Sequence, residues 1–104
     1  MLRIHDVMLR AIRTMRPMIG AIERRDSDLG RQLRRAASSV ALNVAEGSGS
    51  IGGIRTQRYR TALGSARETV SCLRTAEAFG YVEGMPAELV ADMNHVIGTL
   101  VRVT

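Results

Sequence analysis

The stretch LNVAEGSGSIGGIRTQ, residues 42–57, decides the fold. Gly47, Gly49 and Gly52 satisfy G-x-G-x-x-G, the pattern of a loop that cradles a dinucleotide pyrophosphate, and Glu68 lies roughly 20 residues on, where a ribose-binding acid is expected. Such a loop needs a buried strand before it, a helix after it and a parallel sheet around both. Leu33 to Val44 repeat with helical period instead, and Glu68 falls in the middle of a helix. The match is therefore coincidental, and residues 47–53 read as a glycine-rich connection between two helices. A glycine loop at a helix start can also hold an isolated phosphate through its amides, which is a separate reading of the same stretch.

Upstream of the connection, Leu29, Leu33, Ala36, Val40 and Val44 form an apolar seam, with Ala37 and Ala41 beside it. Asp26 or Ser27 can cap this helix and Asp28 favours its positive first turn. Further upstream, Ile4, Met8, Ala11, Met15, Met18 and Ile22 alternate steps of four and three, a heptad seam widened by Ile12 and Ile19. Pro17 kinks this helix without ending it, because the period continues past it. Downstream, Tyr59, Leu63, Ala66, Val70 and Leu73 make a third seam. Gly80 reads as a left-handed stop with Tyr81 folding back. Pro86 suits the first turn of a fourth helix, whose seam is Leu89, Met93, Val96 or Ile97, and Leu100. No segment alternates as a strand does. The spacing predicts an all-α, antiparallel up-down-up-down four-helix bundle, with helices over about 3–24, 27–46, 54–79 and 86–102, because no connection is long enough to run back along a helix.

The 104 residues make one domain, residues 1–104, small enough that self-association is expected. Leu2, Leu9, Ile12 and Ile19 add to an already full seam on helix one, more apolar surface than one four-helix core covers. No stretch approaches a membrane span, and the N-terminus lacks the apolar core of a signal peptide. Cys72 is the single cysteine, which excludes an internal disulfide and suits a cytoplasmic protein. The formal net charge is +5, and all fifteen basic residues are arginines, concentrated in the first two helices. That set fits GC-rich coding bias. It also fits a surface for phosphate, which the planar guanidinium suits. Tyr59, Phe79 and Tyr81 are the only aromatic residues, too few for base stacking to lead any single-strand binding.

QLRRAASSVALNVAEGSGS (residues 32–50), followed by RYRTALGSARETVSCLRTAEAFGYV (residues 58–82), resembles the bacterial four-helix bundle family of 23S rRNA intervening sequence proteins. The shared pattern is R-R-A-A-x-S-x-x-x-N-x-A-E-G, then an aromatic, A-x-G-S-x-x-E, and a closing G-Y. Arg34, Arg35, Asn43, Glu46, Gly47, Gly64, Ser65 and Glu68 fall on it, with Tyr59 as the aromatic. The flanking helices agree in length and pattern. The resemblance implies a homo-oligomer, typically a pentameric ring. It also implies a distant kinship with the accessory variability determinant of diversity-generating retroelements, a basic pentamer that works with a reverse transcriptase and nucleic acid. No enzymatic activity is established for the family. Many members carry basic residues after A-E-G where this chain has Ser-Gly-Ser-Ile-Gly-Gly.

Two sets of residues follow. Arg31, Arg34 and Arg35 share one helical face with Ser38 and form a candidate nucleic-acid-binding stripe, extended by Arg10 and Arg13 if helices one and two lie side by side. Such a face needs compensation, from acids of a neighbouring subunit or from phosphates. Asn43, Glu46, Ser65 and Glu68 form a candidate polar network that locks helix register, with Gly64 leaving room for another helix. No catalytic set is apparent: Ser38 and Ser39 have no nearby histidine, and His5 and His95 stand alone at opposite ends, so neither a metal nor a cofactor is expected. The expected function is a non-catalytic, homo-oligomeric basic scaffold or accessory protein that associates with RNA or DNA, with a reverse transcriptase or another protein as a possible companion. The alternative is a structural module whose basic face meets an acidic protein. A helix-turn-helix regulator is disfavoured by the helix lengths and by an extended connection over 47–53.

Overall fold

The computed structural model describes residues 3–104, and these form four helices: α1 (Ile4–Arg25), α2 (Ser27–Ser48), α3 (Gly52–Ala78) and α4 (Ala87–Val103). No strand occurs among the described residues. α1 packs on α2 and α4, and α3 packs on the same two, so the helices close a ring in chain order. The longest dimension, 42 Å, is that of one helix: the 27 residues of α3 span about 40 Å at the usual rise. Of the apolar residues said to overfill helix one, Leu2 lies outside the described residues.

Each junction between helices has a local cause. Asp26 alone separates α1 from α2. Its amide donates to the Ile22 carbonyl at 2.7 Å and closes α1, while its carboxylate accepts from the Leu29 amide at 3.0 Å and caps α2. At the end of α3, Gly80 takes φ +78°, the Tyr81 amide donates to the Ala76 carbonyl and the Gly80 amide to the Glu77 carbonyl, both at 2.9 Å. This is the paired closure in which glycine costs least. Tyr81 then stacks on Phe79, ring centres 5.3 Å apart, and its hydroxyl donates to Asp26 at 3.4 Å. Pro86 stands just before α4, one position outside the first turn, and its carbonyl accepts from the Leu89 and Val90 amides.

The glycine-rich connection is shorter than its composition suggests. α2 continues through Gly47 and Ser48, and α3 starts at Gly52, leaving Gly49 to Ile51 between them. Gly47 is buried because the Tyr59 ring lies against it; a Cβ there would sit 2.5 Å from a ring carbon. Two of the three loop amides are already committed. Gly49 donates to the Ala45 and Glu46 carbonyls and Ser50 to the Gly47 carbonyl. The Arg55 Nε donates to the carbonyls of Gly47 at 3.2 Å and Ser50 at 2.7 Å. Those donors serve the carbonyls at the end of α2 rather than a pyrophosphate. The short connection also removes loop length as an argument against a helix-turn-helix; the 22 and 27 residues of α2 and α3 still disfavour one.

The core joins all four helices: Val7, Met8, Ala11, Met15 and Ile22 from α1; Leu33, Ala37, Val40 and Val44 from α2; Ala62, Ala66, Leu73 and Ala76 from α3; Leu89, Met93, Val96 and Leu100 from α4. Burying each larger side chain contributes roughly 1.5–3 kcal/mol before the entropy of ordering it. Two seams differ from the sequence expectation. On α3 the buried stripe is Ala62, Ala66, Thr69, Cys72, Leu73 and Ala76, while Tyr59, Leu63 and Val70 are half-buried, because the helix turns mostly small residues inward. On α1, Ile19 is buried within the chain and Leu9 and Ile12 pack half-buried against the core, so most of its broad apolar face is already covered. Among the described residues, the exposed large apolar ones lie elsewhere, at Leu42, Ile51, Ile54, Phe79, Val90, Val101 and Val103. No helix among the described residues is long and apolar enough to cross a membrane.

Candidate nucleic-acid interface and polar network

The solvent face of α2 is set by its seam: with Leu33, Ala37 and Val40 inward, Arg31, Arg34 and Arg35 must point out, and all three are exposed. Two of them find acids within the chain. Arg34 reaches Glu23 at the end of α1 with both Nε and Nη2, at 2.9–3.2 Å. Arg31 meets Asp28 one turn back at 3.3 Å. The compensation expected from a second subunit or from phosphates is thus partly intramolecular, because the one-residue turn at Asp26 brings the end of α1 alongside the start of α2. Arg35 makes no ion pair among the described residues.

Arg10 and Arg13 do not extend this stripe in the way the sequence suggests. α1 does lie beside α2, but Arg10 turns to α4 and grips Asp92 with two bonds, Nε to Oδ2 at 3.0 Å and Nη2 to Oδ1 at 2.7 Å. Asp92 is buried, and the Arg10 hydrogen bond holds its carboxyl below the usual aspartate range against the opposing effect of burial; the charges of Arg10 and His95 act in the same downward direction. The same bond raises the Arg10 guanidinium further. Arg13 is exposed and unpaired among the described residues.

A basic residue not singled out in the sequence, Arg58 on α3, completes the surface. It pairs with Glu46 at 3.1 Å and lines a shallow groove with Arg34, Arg35, Ser39, Leu42 and Asn43, about 460 Å³ in volume. Its signal was register. Residues 39 and 46 of α2 meet residues 65 and 58 of α3, so the index rises along one helix as it falls along the other. Once Ser39 is set against Ser65, Glu46 must lie near Arg58.

The four residues of the expected polar network separate into parts. Asn43 donates its amide to the Ser39 carbonyl at 2.9 Å and to Ser39 Oγ at 3.1 Å. Ser65 donates to the same Oγ at 2.8 Å and so links α3 to α2. Glu46 is exposed and committed to Arg58. Glu68 is exposed, with no hydrogen bond or ion pair among the described residues. The hub is Ser39, the serine of the A-A-x-S signature. Gly64 faces open space: among the described residues, no atom of another helix lies within 4 Å of where its Cβ would be. Cys72 is buried; burial first and the Glu68 charge second push its thiol up, away from the reactive thiolate. No group of three or more metal-ligating side chains occurs among the described residues.

The sequence model of the 23S rRNA-intervening sequence protein family matches residues 8–102. The chain belongs to that family. The family match takes in nearly all of α1 and α4, beyond the signature over residues 32–82. No curated protein and no solved structure matches the chain. Within the family signature, the geometry distinguishes residues that pack (Gly47 beneath Tyr59), residues that link helices (Ser39, Asn43, Ser65) and residues that stay in solvent (Arg34, Arg35, Glu68).

Proposed function

We propose that this family member is an antiparallel up-down-up-down bundle that assembles as a homo-oligomer, with a pentamer favoured, and acts as a non-catalytic basic scaffold that binds nucleic-acid backbones. The observation that carries the reading is the exposed arginine surface of α2 and α3, with Arg35 unpaired among the described residues between Arg31, Arg34 and Arg58. The opposed indices of the α2–α3 contacts support the antiparallel arrangement. Exposed Leu42, in the same groove, and open-faced Gly64 support a second copy nearby. Because Glu23, Asp28 and Glu46 partly neutralise the surface, each subunit contacts phosphate weakly, and repetition around an oligomer supplies the avidity.

Fluorescence anisotropy of RNA and DNA at about 50 and about 200 mM salt tests this, since released counterions make such binding steeply salt-dependent. Binding that falls strongly with salt, and is lost in Arg34→Glu/Arg35→Glu with the oligomer intact, is the expected result. No binding at low salt overturns it. Light scattering of the same samples gives the assembly, and a single-chain mass near 11.4 kDa removes the oligomer. One observation favours a second reading, an acidic protein partner: Leu42 is 63% exposed inside the arginine groove, an apolar anchor that a phosphate backbone would not use.

A further inference from the structure

At one end of the bundle, remote from the α2 arginine stripe, lies a cavity of about 820 Å³ whose chemistry the proposed scaffold role does not use. Three arginines line it, each from a different helix end: Arg3 before α1, Arg55 in the first turn of α3 and Arg102 in the last turn of α4. None of the three makes an ion pair among the described residues. Asp6 is the one acid in the lining, so arginines outnumber acids there three to one, and Arg102 Nη2 donates to Thr99 Oγ1 at 3.2 Å, a neutral partner that leaves its charge uncompensated. A concave site lined by one sign of charge concentrates the opposite sign.

The walls add shape and polarity. Arg55 is not free to collapse, because its Nε is bonded to the Gly47 and Ser50 carbonyls, which leaves its two terminal nitrogens as a fixed fork. Tyr59, pressed against Gly47, presents a flat ring, and its hydroxyl lies 3.4 Å from Ser48 Oγ. Ile4, Val44 and Val103 give an apolar floor. The volume is in the range of roughly 300–1,000 Å³ that small-molecule sites occupy.

We propose that this end cavity binds a nucleoside phosphomonoester, its phosphate held by the guanidinium groups of Arg3, Arg55 and Arg102 and its flat, less polar body against Tyr59 and the apolar floor. A bare phosphate would leave the floor unused, and an uncharged nucleoside would leave three arginines unmatched. The site is separate from the α2 stripe, so its occupancy does not depend on the stripe binding nucleic acid.

Isothermal titration of the full chain with AMP, adenosine and inorganic phosphate tests it, with Arg3→Gln/Arg102→Gln as the variant. Both substituted residues are exposed, and Arg55, which braces the loop, is left in place. AMP is expected to bind in the micromolar to low millimolar range, phosphate several-fold more weakly and adenosine not detectably. The variant, with an unchanged melting curve, loses AMP affinity at least tenfold, while Arg34→Glu/Arg35→Glu retains it. Absence of AMP binding, equal binding of adenosine, phosphate binding as tight as AMP, or unchanged affinity in Arg3→Gln/Arg102→Gln each overturns the proposal.

Discussion

α1 and α4 face the core with long side chains, Met8, Met15 and Ile22 from one helix and Leu89, Met93 and Leu100 from the other, and a bidentate ion pair between Arg10 and Asp92 ties the two helices together. α2 and α3 face it largely with small ones, Ala36, Ala37, Ala41 and Gly47 from one and Ala62, Ala66, Thr69 and Ala76 from the other, and they share the most extensive backbone contact of any helix pair. Their polar links include the neutral Asn43–Ser39–Ser65 cluster and the exposed Arg58–Glu46 pair. The difference lies in how separation is set. Long side chains hold helix axes apart and stabilise by volume; small ones stabilise by proximity. The first side should therefore fail when side chains shrink, and the second when they grow.

The largest effect is expected from shrinking the first side. Met15 is fully buried, and Met15→Ala should cost about 2–5 kcal/mol, the transfer of the lost atoms plus the cavity left behind. Urea denaturation at a fixed protein concentration reads it, since an oligomer's stability depends on concentration. A loss under about 1 kcal/mol would mean that this side collapses around the gap and does not depend on volume. Next comes growth on the second side. Ala66 is fully buried, and Ala66→Leu should cost about 1–3 kcal/mol by forcing α3 outward from its neighbours. An Ala66→Leu protein as stable as the parent would remove the claim of close approach.

The same contrast explains what the sequence disclosed. Where side chains are long, as in Met8, Met15, Leu89 and Met93, apolar period and burial coincide, and the seams of α1 and α4 were legible apart from Val7 and Ile19. On α3 only Leu73 of the long seam residues is fully inward: Leu63 and Val70 are half-buried while Thr69 is buried, its hydroxyl donating to the Ser65 carbonyl at 2.8 Å. A small-residue seam carries almost no period, so following the large residues rotated the expected face. Gly47 was read as loop for a related reason. Glycine usually marks a break, and only the position of the Tyr59 ring shows that here it marks a contact. The basic face of α2 was legible from spacing alone, but its partners were not: Glu23 and Arg58 sit on other helices, and only the folded register brings them near.

The ion pair of the first side gives a smaller, pH-dependent effect. Because the folded Asp92 carboxyl titrates below the ordinary aspartate value of about 3.9, its contribution is fully present above that value and disappears as pH falls through the folded one. Asp92→Asn should thus be less stable than the parent at neutral and mildly acidic pH, with the gap closing below about pH 4. Urea midpoints measured across this range decide it. A gap of the same size at pH 3 as at pH 7 would assign the loss to packing rather than to charge.

The smallest effects sharpen the second side by separating two residues of one signature. Asn43 is half-buried and spends its amide on Ser39, so Asn43→Ala should cost about 0.5–1.5 kcal/mol, an ordinary hydrogen-bond loss with no buried group stranded. Glu68 is exposed and bonds to nothing among the described residues, so within one chain Glu68→Ala should change stability by no more than about 0.5 kcal/mol. Its effect should appear at Cys72 instead, where removing the carboxylate lowers the thiol slightly; burial is the larger cause of the shift, so labelling by a thiol reagent should remain slow. Thermal unfolding of both variants over a hundredfold dilution series distinguishes chain from assembly. A Glu68→Ala loss well above that of Asn43→Ala, present at high concentration and gone on dilution, would place Glu68 in a subunit contact beside open-faced Gly64. The same loss at every concentration would mean that the carboxylate supports the α2–α3 contact itself, beside the neutral cluster around Ser39 and the Arg58–Glu46 pair.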